Sequence, residues 1–358
     1  MKVGLCGLTG GGRSATFAAL TVGAHVASSH GGPLGEIAQS AVKVPDDRLD
    51  KLTGIFASKK TTHATIDLID LPGLGHGQLP KGHNPQIVAE ARKQDMLLVV
   101  VRDFDDPGNP HALGSVDAAR DLNSVLEEFQ LADLSMIENR LPRIDETMQK
   151  RPQDRDTLQV EKTALEKAKA AIESNATLEL PELPEAERKV IEGYTMLCFK
   201  PMAVVRNIGE DAVQTMNELP PLETGLPVVV LCARLEAELS QLDDAEREAF
   251  MEDYGIAELS RERVIRAIYD GSSLLTFFTA GEKESRAWPL ERGRTALEAA
   301  DNIHSDIARG FIRAEVYHYD DIVELGSEKA IKAAGKFRLE GKEYVVQEGD
   351  VIYFRFSV

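Results

Sequence analysis

The sequence predicts an α/β chain: a mostly parallel sheet wrapped by helices, interrupted by a helical insert and followed by a small β-rich module. Three observations predict it. Apolar runs at Lys2 to Cys6, Thr65 to Asp70, Met96 to Arg102, Met202 to Arg206 and Val228 to Cys232 alternate with helical segments, the pattern of a parallel sheet. Residues 113 to 197 change to long charged helices, in which Leu122, Val125, Leu126 and Phe129, then Leu158, Leu165, Ala168 and Ile172, recur at helical spacing. The C-terminal stretch reads as short strands at Phe311 to Tyr317, Phe337 to Leu339, Tyr344 to Gln347 and Val351 to Phe356 around a helix at Ile322 to Ala334, a ubiquitin-like β-grasp pattern.

The first strand runs into Gly7-Leu8-Thr9-Gly10-Gly11-Gly12-Arg13-Ser14, followed by the helical Ala15-Thr16-Phe17-Ala18-Ala19-Leu20. In the phosphate-binding pattern G-x-x-x-x-G-K-[ST], backbone N–H groups and a helix N-terminus cradle phosphates, the Lys reaches the β/γ oxygens and the hydroxyl holds Mg²⁺. Here Ser14 keeps the hydroxyl, but Arg13 stands in the lysine's place. A planar fork is a poor substitute for a compact ammonium. The second strand ends in Asp70-Leu71-Pro72-Gly73, the D-x-x-G of Ras-like NTPases, where Asp meets Mg²⁺ through water and the Gly N–H meets the γ-phosphate.

Between the third and fourth strands the insert folds back as a hairpin. Its turn is at Arg151-Pro152-Gln153-Asp154, because proline ends a helix at or before the preceding residue, and an acidic linker from Leu178 to Pro184 returns the chain to the sheet. The strand Met202 to Arg206 opens into Asn207-Ile208-Gly209-Glu210. GTPases of this class read guanine with Asn-Lys-x-Asp; a glutamate here, with no lysine to stack on the base, fits guanine poorly and leaves adenine open. The last strand meets Ala233-Arg234, a loop placed to cover the base.

With these residues the chain resembles the Obg-like ATPase (YchF) family, a branch of the translation-factor-related P-loop NTPases, from end to end. The densest stretch is C-terminal. Phe277-Phe278-Thr279-Ala280-Gly281, Arg286-Ala287-Trp288, Ile303-His304-Ser305-Asp306 and Gly310-Phe311-Ile312-Arg313-Ala314-Glu315-Val316 look like that family's TGS domain, as do Tyr344 and Gly349-Asp350. Val100-Val101-Arg102-Asp103-Phe104 and Ala233-Arg234-Leu235-Glu236-Ala237-Glu238-Leu239 match elsewhere.

The resemblance implies a nucleotide domain over 1–112 and 198–275, a helical, coiled-coil-like arm over 113–197 and a TGS domain over 276–358. It implies ATP in preference to GTP, with Mg²⁺ held by Ser14 and Asp70. Gly7, Gly10, Gly11, Gly12, Arg13, Ser14, Ala15 and Gly73 would meet the phosphates; Asn207, Glu210, Ala233 and Arg234 would meet the base. Leu74 replaces the usual water-orienting glutamine, so the catalytic candidates are the loop residue His111 and Arg13. A neutral imidazole near its ordinary pKa is suited to positioning water. The TGS domain and arm imply contact with a ribosomal subunit or RNA.

The chain also departs from the family. Gly10-Gly11-Gly12-Arg13-Ser14-Ala15 stands where relatives carry Asn-Val-Gly-Lys-Ser-Thr, so the lysine and one hydroxyl are lost. Ser28-Ser29-His30-Gly31-Gly32-Pro33-Leu34-Gly35 has no threonine at the metal-sensing position, and Gly75-His76-Gly77 stands where the family has a lysine. Losing the lysine charge at the transferring group removes an electrostatic contribution of several kcal/mol, at about 1.4 kcal/mol per tenfold in rate. The expectation is a weak ATPase switch; a catalytically dead scaffold is the alternative and a GTP-binding protein the third reading.

Composition agrees. The chain's 358 residues, 43% apolar, suffice for two or three domains with a sizeable core. Cys6, Cys198 and Cys232 are scattered on or near apolar strands, as buried small hydrophobes are. A net charge of −18 opposes broad nucleic-acid binding. Charge is milder over 276–358, where Lys329, Lys332, Lys336, Arg338 and Lys342 form either a small basic face or an ordinary solvated surface. Trp288 and His304 read as packing residues at a domain junction. No secretory h-region and no apolar stretch long enough to span a bilayer is present, so a cytoplasmic monomer is expected.

Overall fold

The structure, a computed structural model, describes residues 1–22, 24–30, 36–74, 85–111, 113–174, 180–254, 256 and 259–357. Of the segments singled out above, Gly31 to Gly35, Gly75 to Gly77 and the start of the acidic linker lie outside the described residues.

Along the chain the elements are β1 (Lys2–Cys6), α1 (Arg13–Leu20), β2 (Val26–His30), β3 (Glu36–Lys43), α2 (Asp47–Phe56), β4 (Thr61–Thr62), β5 (Thr65–Asp70), α3 (Pro85–Arg92) and β6 (Met96–Asp103). There follow α4 (Ala118–Lys150), α5 (Arg155–Glu173), α6 (Glu185–Tyr194), β7 (Met202–Ile208), β8 (Val228–Leu231), α7 (Ala233–Leu239), α8 (Asp244–Asp253) and α9 (Ser260–Gly271). The chain closes with β9 (Leu274–Thr279), β10 (Ser285–Glu291), α10 (Ala296–Ile303), α11 (Ser305–Arg309), β11 (Phe311–His318), α12 (Tyr319–Leu325), α13 (Glu328–Ala333), β12 (Arg338–Glu340) and β13 (Asp350–Phe356). Two compact units result: residues 1–42 with 67–271, and residues 43–66 with 272–358.

The first unit holds a seven-stranded sheet in the order β2-β3-β5-β1-β6-β7-β8. β1 pairs in parallel with β5 and β6, and β6–β7 and β7–β8 are parallel, while β2 and β3 form an antiparallel edge. β6 is buried from Met96 to Arg102, as expected of a parallel strand covered on both faces. The parallel strands all point their C-terminal ends the same way, so the loops after β1, β5, β6, β7 and β8 share one edge, where ligands bind in open α/β sheets.

The helical insert begins at α4, whose N-cap Asp117 accepts from the Arg120 N–H. Pro152 follows its end and starts a short 3-10 turn into α5. Ile137 and Ile144 of α4 and Leu158, Leu165, Ala168 and Ile172 of α5 are buried in one apolar cluster. Flanking ion pairs join the two helices: Arg140 with Glu161 at 2.7 Å and Lys162 with Asp145 at 2.7 Å. Deeper, the wholly buried Asp133 of α4 accepts from Arg92 Nη2 at 2.5 Å and from the Cys198 N–H at 2.9 Å. A buried carboxylate survives only when its charge and lone pairs are met in this way.

The second unit holds a six-stranded sheet, β12-β11-β13-β9-β10-β4, with Phe277, Leu290, Ala299, Ala314, Val316 and Ile352 in its core. Residues 43–66, which the sequence reading keeps with the nucleotide domain, group here. β4 pairs with β10, Thr62 Oγ1 donates to Glu284, and Arg48 bridges Asp46 and Glu348. The helix expected over Ile322 to Ala334 is two, because Gly326 takes φ 75° and Ser327 caps α13. Tyr344 to Gln347 forms no strand beyond a single antiparallel bridge from Val345 to Thr295, and the Tyr344 hydroxyl donates to Asp350. Trp288 Nε1 donates to Thr279, and His304 Nδ1 accepts from the Asp306 N–H at the start of α11.

Candidate nucleotide-binding site

The loop between β1 and α1 is held by glycines where a side chain has no room. Gly7 has φ 155°, and a Cβ on it would fall 2.4 Å from the Val100 carbonyl oxygen of β6. Gly12, at φ 80°, caps α1; its Cβ would fall 2.2 Å from Asn207 Nδ2. The loop is also zipped to the D-x-x-G segment: the Leu74 N–H donates to Gly7 and the Thr9 N–H to Leu74. Leu74 is thereby buried against the phosphate loop at 3% exposure, which leaves it no part in orienting water.

Arg13 opens α1 and Asp70 ends β5, the strand beside β1. Arg13 Nε donates to Asp70 Oδ1 at 2.5 Å, with both side chains mostly buried. A Cβ on Gly73 would meet Thr9 Oγ1 at 2.9 Å and Arg13 Nη1 at 3.0 Å. Phosphate loop, Arg13, Asp70 and Gly73 therefore form one contiguous group. Ser14 and Ala15 are exposed on the first turn of α1. Beneath the loop, burial pushes the Cys6 thiol up to about 12, with Arg13 opposing it.

On the base side, Asn207 is buried near the end of β7 and its Oδ1 accepts from the Ala233 N–H at 3.1 Å. One side chain thus joins the β7 and β8 loops and touches the phosphate loop at Gly12. Glu210 follows Gly209 at the start of a 3-10 segment and pairs with Arg234 Nε at 2.7 Å. Both side chains of that pair face solvent, so it is a lightly held contact.

His111 is engaged elsewhere. Its Nδ1 accepts from the Leu113 N–H at 3.1 Å, which places the proton on Nε2, 2.6 Å from Asp121 Oδ2 on the first turn of α4. Neither ring nitrogen is free to take a proton from water in this arrangement. The loop itself does reach the phosphate loop: a Cβ on Gly10 would lie 3.5 Å from Asn109 Nδ2.

Arg102 and Phe104 carry more of the site than their quotation as matching residues implies. Arg102 is almost wholly buried; its Nε donates to the Phe104 carbonyl and its Nη1 to the Asn109 carbonyl, both at 2.9 Å. Its guanidinium lies over the Phe104 ring at 4.7 Å, and that ring is 3.6 Å from where a Gly12 Cβ would be. The signal in the sequence is an arginine directly after the apolar run Met96 to Val101 of β6.

The family model YchF-GTPase_C, described as a protein of unknown function (DUF933), matches residues 274–357. The chain is 37% identical over 369 aligned positions to the ribosome-binding ATPase YchF of Bacillus subtilis, covering all of both chains. It is 38% identical to the protein of that name from Haemophilus ducreyi, covering 100% of this chain and 99% of the relative. The chain belongs to the YchF family. The solved Schizosaccharomyces pombe YchF GTPase superposes with a TM-score of 0.82 at 24% identity, covering 99% of this chain and 97% of that one, which shows the same fold.

In this YchF family member, the P-loop fold implies a nucleotide and, ordinarily, Mg²⁺. The cation's donors would be the Ser14 hydroxyl and the Asp70 carboxylate. Ser14 is available, but the Asp70 carboxylate is already ion-paired with Arg13. As placed, the donor set does not fit Mg²⁺.

Proposed function

We propose that the chain is a nucleotide-binding P-loop NTPase of the YchF type that prefers ATP to GTP, hydrolyses it slowly and acts as a switch on the ribosome. The reading is carried by the Arg13–Asp70 pair inside a glycine cradle: the means of binding phosphate are kept, and the charge that speeds transfer is shared with Asp70. Slow turnover is further supported by the buried Leu74 and by the engagement of His111 with Asp121. Preference for ATP is supported by Glu210, which is paired with Arg234 rather than presented as a free carboxylate to a guanine edge. The ribosome as partner is supported by the names of the relatives. The helical insert, read as a coiled-coil arm, and the C-terminal module, read as a TGS domain, are the contact surfaces in a cytoplasmic, monomeric protein. Among the described residues, no helix is long and apolar enough to cross a membrane.

Titration of nucleotide-stripped protein with fluorescent ATP and GTP analogues, followed by single-turnover hydrolysis and ribosome pelleting, tests this reading. ATP binding tighter than GTP by about tenfold, slow turnover and nucleotide-dependent pelleting are expected; tighter GTP binding overturns the base preference. A second reading, a scaffold without chemistry, is favoured by the close packing of Gly73 on Thr9 and Arg13. Pelleting that is indifferent to nucleotide would select it.

A further inference from the structure

We infer that Arg13 takes the place of the divalent cation at Asp70, so that this site binds nucleotide phosphates without a metal ion. The inference rests on the nucleotide-binding reading and concerns how the phosphates are neutralised. Among the described residues Asp70 has one ion-pair partner, the Arg13 Nε at 2.5 Å, and the Asp70 and Arg13 side chains are only 13% and 15% exposed. A cation entering at Asp70 must displace a guanidinium that cannot lose its proton. It would then meet that fixed positive charge across a short distance, where like charges disfavour one another.

A lysine here would behave differently. Its ammonium is a compact charge on a flexible stem with three donors, free to swing to a phosphate and leave the aspartate for a metal-bound water. Guanidinium carries five N–H donors in a rigid fork. With Nε committed to Asp70, the remaining donors stay beside Gly73 and Thr9, at the end of α1 where backbone N–H groups face an anion. One side chain therefore answers both the carboxylate and the phosphate. Of the two protein donors expected for the metal, only the exposed Ser14 hydroxyl is left, too little for an ion that binds through carboxylates as well as phosphates.

The experiment is calorimetric titration of the full-length, stripped chain with ADP and ATP, in EDTA and in excess Mg²⁺, for wild type, Arg13→Lys and Asp70→Ala. Far-UV circular dichroism confirms that each variant is folded. For wild type the affinities in the two media should agree within about twofold, whereas Arg13→Lys should gain at least about tenfold from Mg²⁺. Asp70→Ala, which frees the guanidinium, should bind metal-free nucleotide as tightly as wild type or more so. Wild-type binding that tightens tenfold with Mg²⁺, or Mg²⁺-nucleotide affinity that falls tenfold in Asp70→Ala, overturns the inference and leaves the nucleotide-binding reading standing. Absence of binding in all three proteins under both conditions overturns both.

Discussion

Gly12→Ala is the most searching single substitution, because it strikes the phosphate and base sides of the site together. Gly12 sits at φ 80° and ψ 16°, a left-handed conformation that costs an L-residue about 1–2 kcal/mol. The new methyl would also fall 2.2 Å from Asn207 Nδ2. Asn207 cannot yield cheaply: it is 3% exposed and its Oδ1 holds the Ala233 N–H. Moving it strands a buried donor, at about 1–3 kcal/mol. Together these give a destabilisation of about 2–5 kcal/mol, or roughly 4–20 °C in the melting of a unit this size. Gly54→Ala is the control. Its Cβ meets nothing within 4 Å in the helix interior, so it should stabilise by about 0.5–1 kcal/mol. Thermal melts by circular dichroism, with ATP-analogue titration alongside, decide the matter. If Gly12→Ala melts within a degree of wild type and binds nucleotide equally well, the contact between phosphate loop and Asn207 is not what holds the site together.

Asp133→Ala should lower the stability of the first unit by about 3–5 kcal/mol, because it leaves Arg92 without its carboxylate and the buried Cys198 N–H without its acceptor. Lys189→Ala, which removes an exposed pair with Glu185, should change it by less than about 0.5 kcal/mol; urea titration of both variants, with equal effects, would contradict this contrast. Glu298 forms a capping box with Thr295, and the Thr295 N–H holds its carboxyl below the usual range. Its contribution is therefore present above the ordinary glutamate pKa of about 4.3 and is lost as pH falls through the lower folded value. Glu298→Ala should cost about 1 kcal/mol at pH 7, and the difference from wild type should shrink toward pH 3; a difference independent of pH would refute the role.

What was legible in the sequence was what local pattern determines. The five parallel strands were visible because burial on both faces leaves unbroken apolar runs such as Met96 to Val101. The hairpin was visible because apolar residues recur at helical spacing on both sides of Pro152, Leu122 to Phe129 before it and Leu158 to Ile172 after it. The glycines of the phosphate loop were visible because a steric demand leaves only one residue type. The C-terminal unit was harder. β9 and β10 were missed although β9 lies inside the sheet, because Leu274 to Thr279 is as apolar as a short buried helix would be and its partners are distant in sequence. The expected helix over Ile322 to Ala334 breaks at Gly326, a stop signal that the helical spacing on either side of it hides. Side-chain partnerships were beyond local pattern altogether. Asp70 lies 57 positions from Arg13, and no spacing rule says that an arginine at the lysine position will turn to the aspartate.

His111 shows what such partnerships do to an assignment. A histidine in a loop near a phosphate site invites a chemical role, yet its Nε2 is taken by Asp121 of α4. The same helix, one full arm long, is tied again at Asp133 to Arg92, the last residue of α3. The loop that carries His111 is fastened to the phosphate loop side by Arg102, which holds the Asn109 carbonyl and lies beside Gly10. The base of the insert thus has two polar ties to segments bordering the nucleotide site. A ligand shifts a conformational equilibrium only by binding its two states unequally. For the proposed switch, that inequality has a place to act: a phosphate that moves the loop at Asn109 to His111, or the start of α3, must either carry α4 with it or break Asp121 and Asp133 from their partners.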